Sequence, residues 1–324
     1  MLLASLSDFF DAVGKFFSNL ASVSWIPLIA GLLCFGIYLT LRSRAYFNVV
    51  RAAYPGARIR WRDIWGAYVA AYGFNNVVPA RGGDIMKLFL THRSVEGSSY
   101  PAIGASFLVE AVFDLTIAVP VLIFAFTQGV FPKPPDFASL NAFDLSFFAK
   151  HPRFLLFTLT AIAFLILLGF AVLSRRVRLF WARVRQGLTI LWDRRRYLRQ
   201  VWGVQFGGWL FRCSAFWLLL EAFHIHASIR NVMLVLGVNA VAAIVPFTPG
   251  GAGVQQAFLV SVFGKSAIAY SVGQQIAIAA FSLGLGFFAI VQIFKFRSFK
   301  EVIHAGRQSR AAAEPGADLE PAQP

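Results

Sequence analysis

The chain has 324 residues, 58% of them hydrophobic and 14% charged, with a mean hydropathy of +0.65. A soluble domain carries roughly one-quarter charged residues, so this composition excludes an ordinary soluble globular protein and points to a membrane. The net charge of +15 does not indicate nucleic acid, because the basic residues gather in short segments between apolar runs, as cytoplasmic loops do.

Residues 1–24 are amphipathic, with Asp8 and Asp11 early and no basic leader, which is not the pattern of a signal peptide. Trp25 to Leu41 is predicted to be a transmembrane helix ending at a basic loop that holds Arg42, Arg44, Arg51, Arg58, Arg60 and Arg62. Trp61 and Trp65 mark an interface. Residues 63–98 then carry a break, Gly73-Phe74-Asn75-Asn76-Val77-Val78-Pro79-Ala80-Arg81-Gly82-Gly83-Asp84. A longer helix from about Tyr100 to Phe126 contains Glu110 and Asp114, four apart and therefore on one side. The loop 128–153, with Pro132, Pro134, Pro135, Asp136 and Asp144, suits the outer side, and Phe154–Leu173 returns inward.

In the linker 175–200, Val177, Trp181, Val184, Leu188 and Leu191 form one apolar stripe on an arginine-rich helix. It reads as an interfacial helix on an anionic leaflet. Val201–Phe223 crosses outward, despite Arg212 and Glu221. The uncharged run from Asn231 to Gly264 would be about 50 Å long as one helix, too long for one crossing. It is broken at Pro246, Pro249, Gly250, Gly251 and Gly253, so two half-depth arms are expected. A last span from Ser266 to Phe294 delivers Lys295, Arg297 and Lys300 to the cytoplasm, and residues 295–324 form a cytoplasmic, largely disordered tail.

The two breaks share an order: Gly-x-Asn (Gly73 to Asn75, Gly237 to Asn239), then Val-Pro, then Gly-Gly after two residues in the first break and three in the second. Matching breaks in two halves of a membrane protein point to a binding site between repeats. If the basic loops face inside and 128–153 faces outside, residues 63–127 cross an odd number of times. A re-entrant hairpin plus one crossing satisfies this, and three full crossings would as well. The expected fold is all-α and polytopic, with about 5–7 spans and two re-entrant hairpins in an inverted repeat. The first repeat covers about 25–127, the second about 201–294, and 154–200 links them within a transmembrane domain spanning 25–294.

Arg81, Asp84 and Lys87 share a face if residues from Gly82 onward are helical. With Glu110 and Asp114 they admit two readings: a functional intramembrane site, or an internal salt-bridge cluster holding the hairpin. Gly82-Gly83 and Gly250-Gly251-Ala252-Gly253 could open half-helices whose free N–H groups favour a phosphate, or could serve close packing alone. Asn75, Asn76, Asn239, Gln255 and Gln256 are placed to satisfy freed backbone groups or line a headgroup cavity. Gly264-Lys265-Ser266 ends like a P-loop, but Leu259 stands where its earlier glycine is required. His224 and His226 lack further ligands nearby, Cys34 and Cys213 lie in separate apolar segments, and no hydrolase motif occurs. No enzyme activity, metal or cofactor is expected.

Asn75 to Asp84, Leu108-Val109-Glu110-Ala111-Val112-Phe113-Asp114, and Pro246 to Gln256 resemble, in order, three signatures of the flippase-like membrane region of the lysylphosphatidylglycerol synthase family. The usual Glu-Arg pair is Glu110-Ala111 here, and Gln256 replaces an acid. The resemblance implies a multi-pass protein of the bacterial or archaeal cytoplasmic membrane that flips membrane lipids, anionic or lipid-linked. No aminoacyl-transferase domain is expected after Phe294, so lysine transfer is not expected. The alternative is a non-transporting scaffold or regulator of an envelope-lipid biosynthetic enzyme.

Overall fold

The computed structural model describes residues 23–76, 78, 82–128, 180–242, 254–264 and 267–296. The N-terminal segment, most of the loop after Gln128, the Phe154–Leu173 span and the tail lie outside them. Among the described residues all regular structure is helical: α1 (Trp25–Ala53), α2 (Trp61–Asn75), α3 (Gly82–Ser94), α4 (Tyr100–Thr127), α5 (Gly203–Ala222), α6 (Ile229–Ala242), α7 (Val254–Phe263) and α8 (Ala267–Gln292). Three helices, Trp25–Ala53, Tyr100–Ala125 and Ala269–Gln292, are long and apolar enough to cross a membrane.

The first helix differs from its sequence reading. It does not end at Leu41 but runs 29 residues to Ala53, stopping before Pro55-Gly56. Nothing between Leu41 and Tyr54 breaks a helix, since that stretch has no glycine or proline. The first part of the basic loop is therefore helical. Arg42 is buried at 9% exposure, while Arg44 remains outside, its guanidinium 5.7 Å from the Trp61 ring.

Helix α5 lies antiparallel against α1 along its length. Ser24 N–H donates to the Ala222 carbonyl at 3.0 Å, and at the other end Asn48 Nδ2 donates to the Gln200 carbonyl at 2.7 Å. Small residues allow the approach: a Cβ on Gly31 would sit 3.2 Å from the Ala215 carbonyl, and one on Gly208 would sit 3.3 Å from Leu41 Cβ. Helix α5 thus shares the depth of α1, although its polar residues keep it from scoring as a span by composition.

The two sequence breaks each separate a pair of short helices. At 1.5 Å per residue, α2, α3, α6 and α7 are about 22, 20, 21 and 15 Å long, all shorter than a hydrocarbon core of about 30 Å. Helix α2 packs antiparallel on α8, where a Cβ on Gly73 would lie 2.5 Å from the Ser282 carbonyl and one on Gly286 would lie 3.0 Å from the Val69 carbonyl. Helix α6 packs on α4, where Gly237 faces Ala125 and Val121. Every principal contact of the first half has a counterpart in the second: α2–α8 with α6–α4, α2–α3 with α6–α7, α3–α4 with α7–α8, and α1–α2 with α5–α6.

The linker is not one continuous amphipathic helix. A helix over 180–187 ends at Gly187, which is pressed against the Ala102 carbonyl. A 3-10 turn at Thr189–Leu191 follows. Asp193 then caps the short helix Arg194–Tyr197 by accepting from Arg196 N–H at 3.0 Å, and Leu198–Trp202 is a π-helical turn leading into α5. Ile190 and Tyr197 are buried against Ala45, Val49, Ala52 and Val109, with Leu188 and Leu191 partly buried beside them. Leu188 and Leu191 of the stripe are therefore spent on α1 and α4, while its Trp181, like Trp192, stays exposed. Val177 lies outside the described residues.

Candidate functional site: a buried charge cluster between four helices

Helices α1, α2, α3 and α4 converge on two cations and two acids. Lys87 sits in the second turn of α3, 7% exposed, and Glu110 is 5% exposed on α4. Lys87 Nζ donates to Glu110 Oε2. The same ammonium is 3.8 Å from the Tyr46 ring centroid, 4.4 Å from Phe107 and 4.5 Å from Tyr68. It is therefore enclosed by one carboxylate and three aromatic faces, which stabilise a cation by their quadrupoles.

Arg42 closes the other side. Its Nε donates to the Tyr68 hydroxyl at 3.0 Å, Nη2 donates to Asp114 Oδ2 at 2.9 Å, and Nη1 donates to Asp114 Oδ1. This is the two-pronged geometry that guanidinium and carboxylate favour. Arg42 Nη2 also stands 4.0 Å from Glu110 Oε1, which is buried and accepts no hydrogen bond among the described residues. The two acids differ in setting. The Glu110 side chain is 6% exposed, whereas that of Asp114 is 52% exposed, so Asp114 forms the open edge of the cluster.

The expected acids are thus together with Lys87, but the second cation is Arg42, which the sequence reading left in a cytoplasmic loop. Arg81, Gly250, Gly251 and Gly253 lie outside the described residues. Asp84 accepts from Asn75 Nδ2 at 3.2 Å. Asn75 Oδ1 in turn accepts the Gly83 N–H at 2.7 Å, so that N–H is used within the chain rather than held free for a phosphate. Gly83 also meets the Ala71 carbonyl too closely for any Cβ. Its role is the close-packing alternative, and Gly82, beside Val78, is nearly as tight. Asn76 Nδ2 donates to the Tyr72 carbonyl at 2.9 Å and to Ser282 Oγ at 3.0 Å, tying the first break to α8. Gln256 pairs with Gln275 through their amides, Gln255 is buried, and Asn239 Oδ1 is buried without a partner among the described residues.

Sequence reasoning missed Arg42, Tyr46, Tyr68 and Phe107. A usable signal existed: Arg42 and Tyr46 are one helical turn apart, on a helix that nothing stops before Pro55.

The profile of the lysylphosphatidylglycerol synthase TM region matches residues 2–293. The chain belongs to this family. Comparison with curated proteins and with solved structures finds no significant match. Membership makes the chain a membrane protein linked to lipid metabolism.

Proposed function

We propose that the protein moves an anionic phospholipid or lipid-linked precursor between the leaflets of a bacterial or archaeal cytoplasmic membrane. The observation that carries this reading is the Arg42–Asp114 pair at the open edge of a buried charge cluster. Ionisable groups at membrane depth are costly and mark substrate paths. A lipid phosphate can replace Asp114 on the guanidinium fork of Arg42, while Asp114 turns to a cationic headgroup or to water. Lys87 serves as a fixed latch on Glu110 rather than as a phosphate ligand, and Arg81 supplies further countercharge at the break.

The paired contacts of the two halves support an inverted repeat, because α1 and α5 run antiparallel and the first short helix of each half packs on the long helix of the other, while the second packs on its own. Their sub-membrane lengths support re-entrant hairpins, the first entering from the cytoplasm and the second from outside, with the C-terminus cytoplasmic. No bond is made or broken in this scheme, so the protein acts as a transporter rather than an enzyme.

The saturation of Lys87 favours a second reading, a rigid scaffold for an envelope-lipid enzyme. Reconstitution into vesicles carrying headgroup-labelled phospholipids separates the two. The transporter reading expects accelerated exchange between leaflets, reduced at least tenfold by Arg42→Gln. Exchange no faster than in protein-free vesicles, for anionic, zwitterionic and polyprenyl-phosphate probes alike, would refute it.

A further inference from the structure

Arg212 is a cation in the middle of the membrane with no carboxylate within ion-pair distance among the described residues. The register between α1 and α5 fixes its depth. Gly31 faces Ala215 and Gly208 faces Tyr38 and Leu41, so Arg212 stands level with residues 34–37 of α1. The lipid-facing side of α1 runs from exposed Trp25 and Ile26 through Ile29, Leu33 and Ile37 to Arg44 at the Trp61 interface. That is about 29 Å of helix, which matches a hydrocarbon core of about 30 Å. Arg212 falls about 15 Å from the Trp25 end, halfway through.

Its surroundings are those of a binding site awaiting an anion. The guanidinium lies 5.6 Å from the Tyr38 ring centroid and 5.8 Å from Phe216. Its Nε is buried and donates to nothing among the described residues, and no carboxylate there pairs with it. Two neighbours on α5, Leu210 and Phe211, are exposed apolar side chains at 49% and 38%. Acyl chains can stay in lipid while a headgroup reaches the arginine. Tyr38 is one turn before Arg42 on α1, so Arg212 and the Arg42–Asp114 pair belong to one row of polar groups. Lys87 is spent on Glu110 and Arg42 on Asp114. Of these three cations only Arg212 has a buried donor, Nε, that is unclaimed among the described residues.

We infer that Arg212 is a mid-membrane anion site that receives the phosphate of a lipid headgroup. A guanidinium offers the paired, planar donors that a phosphate's oxygens match, and lipid phosphate is the anion that can arrive with tails suited to this depth. The inference rests on the reading that an anionic lipid traverses the bundle, and gives that route its halfway station.

The test uses the purified full chain in neutral detergent, titrated with dihexanoyl phosphatidylglycerol, with inorganic phosphate, and with a neutral diacylglycerol. Affinity is followed by the ligand-induced rise in melting temperature. Wild type is expected to bind the short-chain anionic lipid, Arg212→Gln to lose at least tenfold in affinity, and Arg212→Lys to fall between, keeping charge without the fork. Without ligand, Arg212→Gln is expected to melt no lower than wild type, because it removes an unpaired buried charge. Equal lipid affinity in Arg212→Gln, or a lower ligand-free melting temperature in that variant, overturns the inference. Equal saturation by inorganic phosphate or by the neutral lipid overturns the lipid-phosphate assignment. The transport reading fails separately: lipid binding through Arg212 with no exchange in vesicles sinks transport and leaves the site. Exchange and binding unchanged in Arg212→Gln sink the site and leave transport.

Discussion

The Lys87–Glu110 pair gives a sharp energetic expectation, because both groups are almost fully buried while their surroundings differ. Glu110→Gln leaves the ammonium among three aromatic rings. Breaking a buried pair by removing one partner costs about 3–5 kcal/mol, and the rings return up to about 2 kcal/mol of that, so a loss of about 3 kcal/mol is expected. Lys87→Met strands Glu110, whose remaining cation is Arg42 at 4.0 Å. A loss of about 3 kcal/mol is expected there too. The double variant places a flexible apolar side chain in the aromatic cage opposite a neutral amide, with no stranded charge. Its cost is expected to be no more than that of either single change, about 3 kcal/mol below their sum. Reversible unfolding in mixed SDS micelles, followed by tryptophan fluorescence, measures all three against wild type. Additivity within about 0.5 kcal/mol would refute the reasoning, because uncoupled residues cannot be neutralising one another.

Other expectations follow from packing and caps. Gly73→Ala is expected to cost about 2 kcal/mol or more in the same assay, since its Cβ would sit 2.5 Å from the Ser282 carbonyl. Gly284→Ala is expected to be neutral or stabilising by up to about 1 kcal/mol, as nothing lies within 4 Å; equal effects at the two sites would contradict the close crossing. Asn75→Ala removes the acceptor of the Gly83 N–H and is expected to cost about 1–2 kcal/mol. Hydrogen exchange should then speed up in the first turn of α3, and unchanged protection there would deny the cap. Asp114→Asn leaves the buried Arg42 guanidinium with Glu110, 4.0 Å away, as its remaining acid among the described residues, and is expected to cost about 3 kcal/mol; a loss under about 1 kcal/mol would show that solvent at the open edge replaces the acid. For the hairpin topology, Glu96→Cys should label from the cytoplasmic face and His226→Cys from the outer face of intact cells. Labelling of both from one side would overturn the opposed arrangement.

Much of the skeleton was legible because its signals are local. The long apolar helices at Tyr100–Thr127 and Ala267–Gln292 fall close to their sequence readings, since apolar runs bounded by glycine, proline and charge define them. Pro120 sits inside the former without ending it, as neighbouring helices in a membrane allow. Helices also flank both breaks among the described residues. The end of α1 failed because charge was taken as a stop signal, whereas Arg42 is made tolerable by Asp114, 72 residues away. A partner at that separation leaves no local trace. The linker failed in a related way. Of its expected stripe only Leu188 and Leu191 pack on α1 and α4, because the helix ends at Gly187 and Trp181 stays exposed, and whether a stripe meets lipid or protein depends on helices that no pattern within 175–200 specifies.

The paired Gly-x-Asn motifs now divide into what the repeat encodes and what it does not. Gly73 and Gly237 both lie where a short helix crosses the long helix of the other half, so the shared glycine serves a crossing required twice. Asn75 caps the helix after its break, and Asn239 holds the matching position with a buried, unpartnered oxygen among the described residues. Charge does not follow this symmetry at the breaks, since only the first has Arg81, Asp84 and Lys87 nearby. It reappears one helix earlier. Helix α1 carries Arg42 and its counterpart α5 carries Arg212, one engaged by an acid and the other free of one among the described residues. On the proposed reading the two arginines are expected to differ in anion affinity, because one already holds a carboxylate and the other holds none among the described residues.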